Sequence, residues 1–244
     1  NIPAGCDITF HNINFRNLDE VLKKEGIEKV GGIIFDLGLS SDQLENSGRG
    51  FSFLKDESLL MTMKEQTTKE DLTAKEIVNT WEEKNLADII YGYGEERFAR
   101  RIAKGIVEAR AKKKIKTTFD LVRIIEESVP AVYKRSHAKG RASKIHFATR
   151  TFQALRIAVN DELGALKEGL EKGFDALGKG GRMSVISFHS LEDRIVKKFF
   201  KQKVKESKAI LINKKPITPT KEEIIINNRA RSAKLRVLEK TTPE

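Results

Sequence analysis

The apolar and polar positions of this chain follow two kinds of pattern, short apolar runs and long stretches of helical period. Two runs, residues 31–36 and 183–188, place consecutive apolar side chains next to glycine, serine or acidic residues. Such runs are typical of strands buried in a parallel sheet. Shorter apolar segments at 8–10 and 210–212 predict two further strands. At 234–238, basic and apolar residues alternate, which predicts an edge strand.

The remaining apolar residues recur every three or four positions and predict amphipathic helices. Thr73 and Thr117 each precede an acidic residue at capping-box spacing, so we expect a helix to begin at each. The longest pattern runs from Phe152 to Leu177 and predicts one continuous helix, which Gly178, Gly180 and Gly181 end. The other predicted helices cover residues 18–25, 98–107 and 190–203, with a short turn of helix after Thr220.

The predicted strands bracket an all-helical middle, which is typical of an α/β domain with an inserted helical domain. We predict that residues 1–45 and 146–244 form the α/β domain and that residues 46–145 form the insertion. Residues 38–56, rich in Gly, Ser, Asp and Asn, predict a long loop. Residues 132–144 predict a basic loop that either connects the domains or binds an anionic backbone.

The chain carries an excess of positive charge. With 46 Lys and Arg against 35 Asp and Glu, its formal charge is +11 and its isoelectric point is about 9.6. This balance favours a polyanionic partner, nucleic acid first and an anionic membrane surface second. An excess of lysine also simply solubilises a protein, and charge alone leaves these alternatives about equal.

Composition excludes several classes of protein. Hydrophobic residues make up 39% of the chain, too many for a disordered protein, and no apolar run approaches the roughly 18 residues of a membrane span. Cys6 is the only cysteine of the sequence, which excludes a disulfide framework and a cysteine zinc cluster and favours a reducing, cytoplasmic compartment. The four histidines lack the spacing of zinc ligands, so no metal is expected.

Polar residues follow two of the predicted strands at their carboxyl ends, where ligands bind in open α/β sheets. Asp36 ends the first strand, with Ser40 and Ser41 shortly after it, and His189 follows the second. A lone acid at a strand end is as often a loop cap as a functional group. An isolated histidine is more often a capping or packing residue than a catalytic one, so the residues alone leave both interpretations open.

Several longer motifs, in order over nearly the whole chain, are specific enough to indicate a family. They occupy residues 36–43, 49–53, 93–98, 148–157, 186–196 and 229–236. One of the longest reads Ala148-Thr-Arg-Thr-Phe-Gln-Ala-Leu-Arg-Ile157. Together these motifs resemble the bacterial 16S ribosomal RNA cytosine-N4 methyltransferase family, also called MraW or RsmH.

The resemblance implies a class I S-adenosylmethionine-dependent methyltransferase, with a Rossmann-like sheet and an inserted helical domain that recognises the substrate. It implies methylation of the exocyclic N4 of a cytidine in the decoding region. The implied partner is 16S ribosomal RNA or the small ribosomal subunit, and no membrane is involved.

Matched position by position, the resemblance makes Phe15, Asp36 and Gln43 contacts of the cofactor S-adenosylmethionine. An aromatic ring can lie against the adenine, and a carboxylate can accept hydrogen bonds from amino groups. Without the family match, Phe15 would be interpreted as a core residue.

For catalysis, we expect Ser40, Ser41 and His189 to orient the cytosine amino group or to accept its proton. Basic residues are expected to hold the RNA backbone, in addition to the basic loop at 134–144. These candidates are Arg49, Arg97, Arg101, Arg150 and Arg156. For a lysine run such as 112–114, a solvated helix face is an equally good interpretation.

The chain departs from the family pattern at its beginning. Family members carry a glycine-rich cofactor loop after their first strand and an acid that ends the second, and nothing similar precedes Asn14. Since the chain also starts at Asn1 rather than Met, we expect an N-terminal truncation that lacks the first strand–helix–strand and binds S-adenosylmethionine poorly. Two alternatives to a truncated ribosomal RNA methyltransferase stay open. One is a non-catalytic RNA- or ribosome-binding remnant, and the other is an amino-methylating enzyme that acts on DNA or protein.

Overall fold

The chain folds into two compact units in a computed structural model that describes residues 7–65, 67–68, 70–136 and 146–241. The sheet unit comprises Asn1–Gly38 and Leu163–Glu244, and the helical unit comprises Leu39–Glu162. The insertion predicted over residues 46–145 lies within the helical unit. Its role in substrate recognition stays a prediction.

The described residues form eleven α-helices and four β-strands. In chain order the helices are α1 (Leu18–Lys24), α2 (Ser41–Glu45), α3 (Ala74–Thr80), α4 (Glu83–Gly92), α5 (Ala99–Lys112), α6 (Thr118–Ser128), α7 (Ala131–Ser136), α8 (Thr149–Asn160), α9 (Glu162–Ala176), α10 (Ser190–Lys205) and α11 (Lys221–Ile226). The strands are β1 (Val30–Asp36), β2 (Leu177–Ser187), β3 (Ala209–Leu211) and β4 (Lys234–Lys240). This composition confirms the predicted α/β class.

The four strands form one mixed sheet in the order β1-β2-β4-β3. Strands β1 and β2 are parallel, with Asp36 opposite Ile186, whereas β4 is antiparallel to both of its neighbours. Parallel strands need a long crossover connection, and the connection from β1 to β2 contains the whole helical unit and α9. The carboxyl ends of β1 and β2 therefore lie at the same edge of the sheet.

Helix α9 packs closely on β1 because two of its glycines leave room for aromatic rings. A Cβ atom at Gly169 would lie 2.6 Å from Cδ2 of Phe15, and one at Gly173 would lie 3.3 Å from the ring of Phe35. The core around these rings consists of buried apolar side chains from the sheet and from helices α9 and α10. Its larger members are Phe35, Leu166, Leu170, Phe174, Leu177, Met183, Val185, Val196, Phe199, Phe200 and Leu238.

Strand β4 lies between two other strands, so the prediction of an edge strand is wrong. Its buried face carries Arg236 and Lys240. Arg236 donates from Nε to Oδ1 of Asp193 at 2.7 Å, and Lys240 donates to three backbone carbonyls where α9 ends and β2 begins. A buried cation requires such oxygen partners, and the alternation of basic and apolar residues does not reveal them.

The helical unit has an apolar core of its own. Fully buried side chains from α3, α4, α5, α6 and α8 form it, and they include Ile77, Leu86, Ile90, Ile102, Ile106, Leu121, Ile125 and Leu155. Two helices begin where the capping spacing predicts. The Thr73 hydroxyl accepts the N–H of Glu76 at 3.1 Å, and Thr117 forms a complete capping box with Asp120. These two predictions are confirmed.

Three other segments differ from the prediction. Residues 8–10 form no strand, since no strand pairs with them in the described part of the sheet, and Phe10 is 90% exposed. The predicted loop at 38–56 contains α2, which is too short for a periodic apolar pattern. The predicted basic loop at 132–144 begins inside α7, and residues 137–145 lie outside the described residues.

The long helix predicted from Phe152 to Leu177 is divided into α8 and α9 at Asp161. Asp161 has a φ of 46°, in the left-handed region that aspartate tolerates better than most residues. The Asn160 side chain accepts the N–H of Met63 and donates to the carbonyl of Met61, each at 2.8 Å, which fixes the end of α8. Apolar periodicity continues across a break of one residue and therefore does not detect it.

Strand β2 begins at Leu177 rather than at Met183, so it runs through the glycines that were predicted to stop the helix. Gly180 has a φ of 78°, and the pairing of β1 with β2 changes register between Val30 and Gly32. Glycine accommodates such irregular strand geometry, so these residues extend the sheet instead of ending it.

We predict that Asp193→Asn destabilises the protein by about 3 kcal/mol at neutral pH, because it leaves the Arg236 charge buried without its counter-ion. Burial alone raises the pKa of Asp193, but the hydrogen bond and charge of Arg236 and the charge of Lys234 outweigh it and lower the pKa below 3.8. The wild-type stabilisation is therefore complete above that pH and is lost as the pH falls through the lowered pKa. Thermal unfolding of both proteins between pH 7 and pH 3 measures this difference.

The control is Asp19→Asn, which breaks the exposed pair between Asp19 and Lys172. We expect little change from it, since exposed ion pairs contribute little to stability. Equal unfolding temperatures for Asp193→Asn and the wild type at pH 7 would contradict the role given to Asp193.

Candidate functional site

The carboxyl end of β1 presents an exposed carboxylate, that of Asp36. The next residue, Leu37, is still held to β2 by its N–H, which donates to the carbonyl of Ile186 at 3.1 Å. Gly38 then turns the chain with a φ of 95°, in a region that favours glycine. Asp36 therefore lies in solvent at the sheet edge where α/β proteins bind ligands.

The Phe15 ring packs within the sheet unit and keeps part of its surface in solvent. It belongs to a 3₁₀ turn, Phe15–Asn17, and lies edge-on to Phe35 with ring centroids 5.5 Å apart. The residue is 37% exposed. The ring thus has a packing role, and its exposed part is accessible to a ligand.

Ser40, Ser41 and Gln43 lie together at the start of α2 in the helical unit. Ser40 Oγ accepts the N–H of Gln43 at 3.1 Å, and Gln43 Oε1 accepts the N–H of Ser40 at 3.0 Å. This capping box satisfies two backbone donors at the helix start. Ser41, the first residue of the helix, is exposed.

His189 is the N-cap of α10 in the sheet unit, one residue before the predicted helix start. Its Nδ1 accepts the N–H of Glu192 at 3.3 Å, and the buried Glu192 carboxylate accepts the N–H groups of Phe188 and His189. With Nδ1 used as an acceptor, a neutral ring carries its proton on Nε2, which lies 3.2 Å from Oε1 of Glu192. Both ring nitrogens therefore face the first turn of the helix.

A cavity of about 350 Å³ lies at the carboxyl end of β2 in the sheet unit. His189 and Phe188 line one part of it, and the segment that leads into β4 contributes Arg231 and Lys234. The ring of Phe188 also lies 3.7 Å from the position of a Cβ on Gly38. This arrangement gives the strand end two aromatic rings and two cationic groups, of which Lys234 also pairs with Asp193 at 3.3 Å. Arg231 is the cation that best suits an anionic ligand there.

Three of the five predicted RNA-binding arginines are engaged inside the helical unit. Arg49 donates to the carbonyls of residues 62–64, and Arg156 forms a two-pronged pair with Glu162, at 2.8 and 2.9 Å. Arg150 donates to a carbonyl in the turn before α5 at 3.2 Å. These bonds hold loops and helix ends in place.

The other two arginines, Arg97 and Arg101, are exposed near the start of α5. The Arg97 guanidinium lies 4.7 Å from the ring centroid of Phe98 and 5.0 Å from that of Tyr133. The Tyr133 hydroxyl donates to the buried carboxylate of Glu96 at 2.7 Å. Burial, with the hydrogen bond and charge of Glu96, raises the pKa of Tyr133 to about 12, so the phenol stays protonated.

Comparison with known proteins assigns the chain to a family. The family model described as the MraW methylase family matches residues 3–241. The chain belongs to the MraW methylase family. A protein of Limosilactobacillus fermentum described as ribosomal RNA small subunit methyltransferase H is 43% identical over 248 residues, which cover 96% of this chain and 76% of that relative.

As a member of the MraW methylase family, the chain is a methyltransferase, and its mixed sheet agrees with the class I fold that the sequence motifs imply. Among the described residues, no helix has both the length and the apolar composition to cross a bilayer.

Sequence reasoning missed two residues of the strand-end cavity, Arg231 and Lys234. Both lie in the family motif at 229–236, so the signal was present, but their position beside His189 depends on the sheet order. It also missed Tyr91, whose ring lies outside the apolar stripe of α4 and is 69% exposed. The sequence did offer a signal for Tyr91, since a large aromatic residue stands there outside the three-to-four-residue spacing of the apolar positions of α4.

Two motifs of the MraW family meet in the helical unit, one at 93–98 and the other at 148–157. Gln153 donates from its side chain to the carbonyl of Tyr93 at 2.9 Å. Gly94 is buried at this junction, and a Cβ on it would lie 2.5 Å from the carbonyl oxygen of Arg150 and 2.6 Å from that of Ile90. The close approach of the turn to α8 therefore requires glycine.

We predict that Gly94→Ala destabilises this MraW family member by about 1–3 kcal/mol, because backbone atoms on both sides must move to admit the methyl group. Gly92→Ala is the matched control, since a Cβ there meets nothing within 4 Å at the end of α4. That substitution is expected to be neutral or stabilising by up to about 1 kcal/mol. Thermal denaturation measures the change in unfolding temperature of each variant relative to the wild type. Equal changes for Gly94→Ala and Gly92→Ala would contradict the packing argument.

Proposed function

We propose that this protein methylates the exocyclic N4 of a cytidine in the decoding region of 16S ribosomal RNA, in the cytoplasm, with S-adenosylmethionine as methyl donor. The observation that carries the proposal is the 43% identity, over 96% of the chain, to a relative described as ribosomal RNA small subunit methyltransferase H. The positive charge of +11 and the exposed arginines of the helical unit support an RNA substrate.

The residues at the β1 end fit the proposed cofactor. Asp36 offers an exposed carboxylate that can accept hydrogen bonds from an amino or ammonium group, and Phe15 keeps part of its ring accessible. Gln43 is the third proposed contact, although its side-chain oxygen also caps α2. S-adenosylmethionine, when bound, supplies a methyl group activated by its positively charged sulfur.

The protein's own task is to make the cytosine amino nitrogen reactive. The lone pair of that nitrogen is delocalised into the ring, so the site has to align it within about 3–3.5 Å of the methyl carbon and accept its N–H groups. Ser40, Ser41 and His189 are our candidates for this orientation. Capping boxes fix two of them, Ser40 at the start of α2 and His189 at the start of α10.

The RNA has to present an unstacked base to such a site. Arg97 and Arg101 on the helical unit and Arg231 on the sheet unit are exposed cations that suit phosphate groups. The proposed partner is therefore 16S ribosomal RNA or the small ribosomal subunit, held by contacts whose strength falls with salt concentration.

We predict methyl transfer from saturating S-adenosylmethionine to small ribosomal subunits or naked 16S ribosomal RNA, with the product methylated on N4 of cytidine. Nucleoside analysis by mass spectrometry after the reaction measures the position of the methyl group. DNA and bulk protein serve as control substrates, and calorimetry of cofactor binding accompanies the assay.

The possible outcomes separate the functions. Transfer to DNA or protein but not to small-subunit RNA would contradict the proposed substrate. RNA binding without any transfer, even when calorimetry shows the cofactor bound, would favour the non-catalytic binding module.

We predict that His189→Asn lowers the rate of methyl transfer at least tenfold, about 1.4 kcal/mol in activation free energy, because the imidazole is one of the groups proposed to orient the cytosine amino group. Asparagine is a good N-cap, so this substitution preserves the cap, whereas His189→Ala also costs about 1 kcal/mol of stability. Unfolding temperatures separate the two effects. Unchanged turnover in His189→Asn, Ser40→Asn and Ser41→Ala would remove all three residues from catalysis, since Asn also keeps the cap at Ser40 while removing its hydroxyl.

A further inference from the structure

A cleft of about 510 Å³ opens between α4 and the start of α5 in the helical unit. Helix α4 contributes Asp88 and Tyr91 to its lining, and the following segment contributes Arg97, Arg100 and Arg101. Three guanidinium groups therefore face one carboxylate, which makes the cleft positively charged. All five side chains are exposed.

Two of these arginines are not engaged by the residues that the structure describes. Arg100 and Arg101 make no hydrogen bond or ion pair with any residue in the described part of the chain. Arg156, in contrast, is bound at both ends of its guanidinium by Glu162. Guanidinium groups with unused donors match the geometry of phosphate oxygens.

The third arginine is held in a fixed position by aromatic rings. The Arg97 guanidinium lies within cation–π distance of Phe98 and Tyr133, and the Tyr133 hydroxyl donates to the buried Glu96. A preorganised cation loses less conformational freedom when it binds a ligand.

Tyr91 supplies the one large exposed ring of the cleft. It is 69% exposed, whereas Ile90, its neighbour on α4, is fully buried. The tyrosine therefore contributes little to the apolar core. An exposed aromatic ring surrounded by arginines is the combination with which proteins bind single-stranded nucleic acid, because the ring stacks on a base while the cations hold the backbone.

We infer that this cleft is a subsite for single-stranded RNA, with one base stacked on Tyr91 and the adjoining phosphates bound by Arg100 and Arg101. The inference rests on the proposed function for the identity of the RNA, and it adds a contact outside the site of methyl transfer. Single strands are favoured over duplex because a base in a duplex has both faces covered by its neighbours. The carboxylate of Asp88 can accept from a base amino group or a ribose hydroxyl.

The test is the affinity of the purified chain for a labelled single-stranded RNA of about ten nucleotides, measured by fluorescence anisotropy. Tyr91→Ala is expected to weaken binding about tenfold, since one stacked base is lost. Tyr91→Phe keeps the stacking ring and is expected to bind within about twofold of the wild type. Arg101→Gln is expected to weaken binding and to lower the slope of log affinity against log salt by about 0.7.

Two matched controls lie on α6 of the same unit. Phe119 is an exposed aromatic residue and Arg123 an exposed arginine, and neither lines the cleft. Phe119→Ala and Arg123→Gln are expected to leave the affinity unchanged. Circular dichroism melts of every variant exclude a loss of folding as the cause.

The results separate this subsite from the proposed function. Equal affinities for wild type and Tyr91→Ala, or no binding of single-stranded RNA at all, would overturn the subsite, while methyl transfer to 16S ribosomal RNA is measured independently. Loss of affinity in Tyr91→Ala supports the subsite even if no transfer is found. Displacement of RNA by polyglutamate, combined with no effect of Tyr91→Ala, would assign the cleft to an acidic protein segment and overturn it as well.

Discussion

The sheet of this protein depends on neutralising the charge of β4, which is strongly basic and yet lies between two other strands. Asp193 of α10 binds Arg236 and Lys234, and the carbonyls at the end of α9 bind Lys240. Among the described strands, β3 joins the sheet only through β4. The ion pairs and hydrogen bonds of β4 therefore stabilise the pairing of β4 with β2 and, through β4, the position of β3. They also tie the end of α9 and the first turn of α10 to the strands. A buried cation without an oxygen partner costs several kcal/mol. Any other placement of β4 that separated Arg236 and Lys240 from these oxygens would carry that cost.

Helix caps shape both strand ends where ligands are expected. Ser40 pairs with Gln43, and His189 pairs with Glu192, in the same reciprocal arrangement of side chain and backbone. Each cap turns the chain from the sheet edge into a helix start. The candidate catalytic residues Ser40 and His189 therefore have a structural role as well. Loss of activity on substitution can come from loss of the cap or from loss of the catalytic group. Cap-preserving variants separate them because they change the functional group alone.

The positive charge of the helical unit has two separate uses. Arg49, Arg150 and Arg156 donate to backbone carbonyls or to Glu162 and stabilise loops and helix ends. The exposed arginines around the α4–α5 cleft are directed to solvent and surround one aromatic ring. Net charge predicts an anionic partner, but only the bonds that each guanidinium already makes show which cations remain for RNA.

The sequence by itself determined the α/β class, most helix starts, the family and the residues at the β1 and β2 ends. Those features rest on local signals such as Thr73 and Thr117 caps, apolar runs and contiguous motifs. Only the tertiary structure decided that Asp161 divides the long helix, because one left-handed residue leaves apolar periodicity intact. It also decided that β4 is central, since the partner strand β2 and Asp193 lie about 40 to 60 residues before it. That Tyr91 lies beside Arg100 and Arg101 depends on how the consecutive helices α4 and α5 pack, which periodicity within each helix does not reveal. Caps and periodicity are visible within a few neighbouring residues, whereas the tertiary partners of a residue cannot be predicted from its local sequence.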